Sequence, residues 1–462
     1  MAGCLAAIGL ILGSAGAEEG LVLRDRVYLG LPEPTPQLLQ TGVEVLRQRV
    51  VALTEGAIAV EVGEGAPQLS VTIADARPVA SPLWTADQSY ALSCDASGAR
   101  VNAANALGAL YGLMALPALL SQDEGGAWRL PVLRSDEAPD LLLRAAHMTG
   151  LPRSPLERRA WCRRLAALRL NALVVEDDIW WRLDDPIERE AAAAACADLR
   201  AHGIEPVPEL PCLGRARALL ALEPMCAEGS VVRRERLALS GDRPTVLARP
   251  NVLRTGATDI RLEDAQGRPY AMGRDYEVLD GETRYPYRPE ATLFRVRRLP
   301  GGHIPDGGEV LASYDYVSCV NDYDVPYCPS EPRVAEVVGA ALRNTLLCVK
   351  PAAVHLGYTR PALMNSDSRC LSREPRLTSA QLLAEDMQRL HGVAREIDPD
   401  VRVMVWADAV DPYHAPRALA RAETAAALSL LPRDVILNTW FYGSDQPDRE
   451  GAESLRYFGA LG

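Results

Sequence analysis

AAVHLGYTRPALMNSDSRC, residues 352–370, joins an apolar run to a polar loop. AAVHLGY suits a strand covered on both faces, and the Pro, Asn, Ser and Asp that follow suit a loop at the strand's C-terminal end. Five other stretches share the apolar character: LLLRAAHM (141–148), ALVVED (172–177), EPVPEL (205–210), VRVMVWAD (401–408) and VILNTWFY (435–442). Amphipathic helical patterns lie between most of them, among them SPLERRAWCRRLAALR and TSAQLLAEDMQRLHGVAREI. Apolar strands alternating with helices imply a parallel sheet, and six in series predict an α/β fold of the TIM (β/α)8 type. Two strands are missing from the full count. The barrel-like domain, residues 139–462, is therefore expected to be incomplete, through truncation at the C-terminus or with closure by oligomerisation.

Upstream, residues 21–138 read as an α+β domain. LVLRDRVYLG, AIAVEVG, LSVTIAD, SYALSCD and ARVNAAN carry β-branched residues in partial alternation. PTPQLLQTGVEVLRQRVVALT has helical spacing, with Leu38, Leu39, Val43, Val45, Leu46 and Val50 able to share one face. NALGALYGLMALPALL (105–120) predicts a second helix whose small residues permit close packing. Between the third and fourth barrel-type strands, residues 230–318 break the rhythm with Gly-containing turns and short alternating strands. They predict an all-β insertion on the functional side of the barrel.

The chain of 462 residues is 48% hydrophobic and 24% charged, which suits a globular protein of two or three domains. A net charge of −12 excludes nucleic acid and anionic membrane as obvious partners, and a neutral small ligand fits better. The opening MAGCLAAIGLILGSAGAEEG has an apolar run and a small-residue site ending at Ala17, too short to span a membrane. It reads as a possible signal peptide over residues 1–20, so the protein is expected to be secreted or periplasmic, and otherwise cytoplasmic. The ten cysteines show no C-x-x-C and no His/Cys spacing suited to zinc, so no metal and no cofactor is expected. Cys162, Cys196 and Cys348 fall on helical patterns as buried thiols, and Cys319 and Cys328 flank a loop they could bridge.

Taken together, these motifs resemble glycoside hydrolase family 20, the β-N-acetylhexosaminidases. ARVNAANALGALYGLMALPALL resembles the end of that family's non-catalytic domain, and RSDEAPDLLLRAA the entry to its first barrel strand, where Arg144 would bond sugar hydroxyls. NALVVEDDIWWRL and GIEPVPELPCLGR are similar to the second and third strands. The resemblance implies a chemistry at the fourth strand, His-x-Gly-x-Asp-Glu, in which Glu is the general acid and Asp orients the substrate's own acetamido nucleophile. Here His355 and Gly357 match, and Pro361, Asn365, Asp367 and Arg369 resemble the following loop. Thr359 stands at the Asp position, and Arg360 at the Glu position.

That exchange matters because a general acid must hold a transferable proton near working pH, and a guanidinium does not. Leu213-Gly214-Arg215 likewise replaces the Pro-Gly-His of the third strand. Activity by the usual route is expected to be weak or absent. Trp406 and Trp440 match pocket tryptophans, whose faces stack on pyranose rings, with Tyr442 beside them and His355 lining or supporting the pocket. Glu176, Asp177, Asp178, Glu209 and Asp408 fall at strand ends. They could form a relocated acid/base pair, or a salt-bridged floor with Arg144, Arg215 and Arg360. The expected partner is a glycan containing N-acetylhexosamine. The alternatives are an active glycosidase with relocated carboxylates and a non-catalytic adhesion scaffold that uses the β insertion.

Overall fold

The computed structural model describes residues 20–461 apart from 64, 257, 280, 282–291, 319–324, 360, 415–423 and 442–445. All but the last residue of the expected leader, together with Cys319, Arg360 and Tyr442, lies outside the described residues. The chain divides into two compact units, Met1–Val175 with Ala193–Val207 and Glu176–Ala192 with Pro208–Gly462. The first takes in residues 21–138 and the opening strands of the barrel-type sheet.

Within the first unit a six-stranded mixed sheet runs in the order 59–62, 26–30, 69–73, 98–103, 90–95, 133–137. The first four strands are parallel, and 90–95 is antiparallel to both of its neighbours. The helix Gln37–Leu53 buries Leu39, Val43, Val45, Leu46 and Val50, the face that its periodicity predicts, while Leu38 is only half-buried. The helix Ala106–Ala115 starts where the Asn105 side chain accepts from the Leu107 and Gly108 amides. It is buried along its whole length. A Cβ on Gly112 would sit 2.4 Å from Val101 Cγ1, so only glycine lets this helix lie so close to the sheet.

The barrel-type strands are β1 (Ala145–Thr149), β2 (Ala172–Glu176), β3 (Glu205–Cys212), β4 (Ala353–Gly357), β5 (Arg402–Trp406) and β6 (Ile436–Asn438). They form one curled six-stranded sheet in sequence order, a half-barrel of TIM type. The helices between them include α1 (Pro155–Ala167), α2 (Pro186–Ala201), α3 (Pro332–Val349) and α4 (Ser379–Ile397). Residues of β4 are all buried, as a strand covered on both faces requires. Two strands differ from their sequence reading. β1 starts at Ala145 rather than Leu141, because the Asn171 side chain bonds both the Leu142 carbonyl and the Arg144 amide. That leaves Leu141 and Leu142 exposed. β6 is shorter than the run 435–442, and Trp440 follows it outside the strand.

α4 opens on a capping box, in which Thr378 and Gln381 bond each other's backbone amides, and buries Leu382, Leu383, Met387 and Leu390. The insertion is all-β. Ser230–Leu239 pairs along its length with Gly308–Tyr316, strands at 252–253 and 261–263 also join the latter, and a second sheet orders 245–246, 295–298 and 276–279. It has its own apolar core, including Leu239, Val252, Phe294, Val296 and Val310. Among the described residues no helix is long and apolar enough to cross a membrane.

Candidate functional site

β3, β4 and β5 bring Glu209, His355 and Trp406 together, the last at the C-terminal end of its strand. Trp406 Nε1 donates to Glu209 Oε1 at 2.8 Å, and His355 Nδ1 lies 3.7 Å from the same oxygen. The His355 and Trp406 rings lie 4.5 Å apart at 50°. The Gly357 amide donates to His355 Nδ1 at 3.0 Å, so a neutral imidazole there keeps its proton on Nε2. Glu209 and His355 are buried, whereas Trp406 is half-exposed. The two buried side chains thus fix the ring plane of a tryptophan that reaches the surface.

The register of β3 on β4 explains this convergence. It steps from Glu209↔His355 to Cys212↔Gly357, an irregularity that contains Pro211. Gly357 lies against this step with φ +67°, and a Cβ there would meet Pro211 Cα at 2.9 Å. Tyr358 follows with φ +61°. Two consecutive left-handed residues turn the chain, and Tyr358 buries its ring with its hydroxyl on Asp386 Oδ2 at 2.7 Å. Tyr327 donates to the same carboxylate oxygen, and Arg389 pairs with the other. Thr359 is half-buried just beyond. The tip of β4 is therefore anchored to α4 by a tyrosine.

The remaining acids have different surroundings, and Glu176 and Glu209 bring carboxylate oxygens within 4.8 Å of each other. Glu176 Oε2 lies 3.5 Å from Arg215 Nη1. Asp177 accepts from the Ile179 amide at 2.9 Å and starts a short 3-10 turn. Asp178 is exposed, and Asp408 is buried in the turn after β5. In the first unit Arg144 Nε donates to the Arg169 carbonyl at 2.8 Å and its Nη1 to the Leu141 carbonyl at 2.6 Å. Its guanidinium lies 5.1 Å over the Tyr111 ring, whose hydroxyl burial pushes up to about 12. Trp440, half-exposed, meets the buried His414 ring edge-on at 4.3 Å.

Sequence reading missed Asp386 and His414. A signal existed for Asp386, a carboxylate on the apolar stripe of α4 between Leu383 and Met387. His414 carries none, since nothing local sets it apart.

No protein-family profile matches the sequence, and no curated protein matches it. Solved structures do. A chitobiase from Flavobacterium johnsoniae aligns over 95% of this chain at 14% identity with a TM-score of 0.56. The fold is that of glycoside hydrolase family 20. A family 20 exo-β-N-acetylglucosaminidase from Vibrio harveyi, solved with N-acetylglucosamine, aligns over 95% of the chain at 11% identity with a TM-score of 0.54. A β-N-acetylhexosaminidase from Bacteroides fragilis aligns over 95% at 12% identity with a TM-score of 0.52. The chain spans 55% and 57% of the first two proteins and 70% of the third. At such identities the likeness carries the scaffold alone.

Proposed function

We propose that this protein binds glycans containing N-acetylhexosamine on its glycoside-hydrolase scaffold, and does not cleave them by the substrate-assisted route. The observation that carries the reading is the tip of β4. Tyr358 turns into the helix layer onto Asp386, and by the sequence resemblance Thr359 falls at the position of the family's aspartate. Threonine offers a hydrogen bond but no negative charge for a developing oxazolinium, and Arg360 no transferable proton.

Binding is supported by Trp406. Its ring is pinned by Glu209 and braced by His355, so an aromatic face is held in place before any sugar arrives, which reduces the ordering that association requires. Trp440 is the second stacking candidate. An exported location suits such a ligand, and the apolar opening around residues 5–17 supports it.

Calorimetry with N-acetylglucosamine and its short β-linked oligomers tests the reading. Binding is expected, and Trp406→Ala should weaken it by roughly 1–3 kcal/mol, about 5- to 150-fold. Equal affinity in the variant would place the ligand elsewhere. No release from aryl N-acetyl-β-hexosaminides is expected, and turnover on the order of 1 per second would defeat the inactive reading in favour of relocated carboxylates.

A further inference from the structure

Four potential metal ligands from three distant stretches of chain meet at the root of the β insertion. Glu228 precedes the first strand of the insertion, Cys328 follows its return, and Asp367 and Cys370 belong to the loop after β4. One ligand atom from each lies within 4.8 Å of the other three. Cys328 Sγ is 3.4 Å from Cys370 Sγ and 3.5 Å from Asp367 Oδ1, and Cys370 Sγ is 3.8 Å from Glu228 Oε2. All four residues are buried.

We propose that these four side chains form a tetrahedral zinc site that clamps both ends of the β insertion to the loop after β4. The spacing fits. With Zn–S near 2.3 Å and Zn–O near 2.0–2.2 Å, tetrahedral donors stand about 3.3–3.8 Å apart. The donor chemistry fits as well, because two thiolates select zinc over the hard cations that carboxylates alone would take. Four protein ligands close the sphere, the mark of a structural rather than a catalytic centre.

The surroundings orient these donors. Glu228 Oε1 accepts from the Ser366 and Asp367 amides, which turns Oε2 toward Cys370. Arg369 binds Asp367 at Oδ2, leaving Oδ1 facing the sulfurs. The rest of that guanidinium is engaged outside the cluster, on Glu331 and on the carbonyls of Met225 and Ala227. Glu228 is thus held by one oxygen and offers the other, while Asp367 Oδ1 also accepts from the Cys370 amide at 3.0 Å and has a second lone pair for a metal. Arg369 and a dication together offset all but one of the charges on two thiolates and two carboxylates. Metal binding releases the thiol protons. The site is independent of the sugar-binding reading, since none of its ligands lies at Trp406 or Thr359.

The test uses the untagged full chain, purified under reducing conditions without added chelator. Elemental analysis should find one zinc per chain, and X-ray absorption at the zinc edge should show a mixed shell of sulfur and oxygen. After removal of the zinc, Co2+ should give thiolate-to-metal charge-transfer absorption. That band should fall in Cys370→Ser and persist in Cys348→Ser, whose thiol lies on α3. Glu228→Gln should weaken zinc binding by more than the roughly 10- to 100-fold that loss of an outer partner brings. Wild-type chain that binds neither Zn2+ nor Co2+ would overturn the proposal, whether its two thiols are free or peptide mapping finds Cys328 bridged to Cys370.

Discussion

Two parts of the second unit bury carboxylates, and they do so in opposite ways. At the strand ends the acids take neutral or single partners, although Glu176 and Glu209 bring oxygens within 4.8 Å of each other. Glu209 takes the Trp406 indole, Glu176 faces Arg215, and Asp177 caps a turn. At the root of the insertion the acids converge instead, with Glu228 and Asp367 gathered around two sulfurs and a single guanidinium close by. Acids with such partners hold side chains in place. Gathered acids repel one another unless a cation joins them. The first arrangement suits a rigid surface for a neutral ligand, and the second suits a clamp.

The comparison breaks most readily at Arg369. Its side chain is buried between Asp367 and Glu331, so Arg369→Met leaves buried charge without a counterion and should cost about 3–5 kcal/mol. Denaturant unfolding monitored on the second unit measures this, and a loss under 1 kcal/mol or so would mean that the cluster is not held together by charge. Gly357→Ala probes the joint between the two regions. It adds a Cβ at φ +67° against the backbone of β3, and should cost roughly 1–3 kcal/mol with a weakening of sugar binding as Trp406 shifts. Unchanged stability and affinity together would show that the bulge of β3 does not position the site. The smallest effect belongs to the strand ends. Arg215→Gln removes a pair whose arginine is 32% exposed, and should change stability by only about 0.2–1 kcal/mol. A larger loss would show that the acids there depend on one another after all.

These differences follow what a sequence can display. β4 is legible because buried parallel strands are apolar throughout, and Trp406 because it ends such a run. The first helix shows its face through periodicity alone. β1 is misjudged by four residues, because the grip of Asn171 on Leu142 and Arg144 comes from a side chain far along the chain. The turn at Tyr358 is hidden for a related reason, since its hydroxyl partner lies on α4. Spacing rules read ligands from neighbours, whereas Cys328 and Cys370 meet across 42 residues and take their carboxylate partners from two separate loops.

The two ends of the insertion lie side by side in the connection between β3 and α3. Ser230 stands opposite Tyr316 in the antiparallel pair, and the hydroxyls of Ser230 and Ser318 meet at 3.0 Å. Facing residues in such a ladder have Cα atoms about 4.5–5.5 Å apart, a gap that a two-residue turn closes. A graft of another small β domain at Gly229 and Ser318 would meet the same two ends, and would have to replace the bonds that Asp315 accepts from the Ser368 amide and hydroxyl.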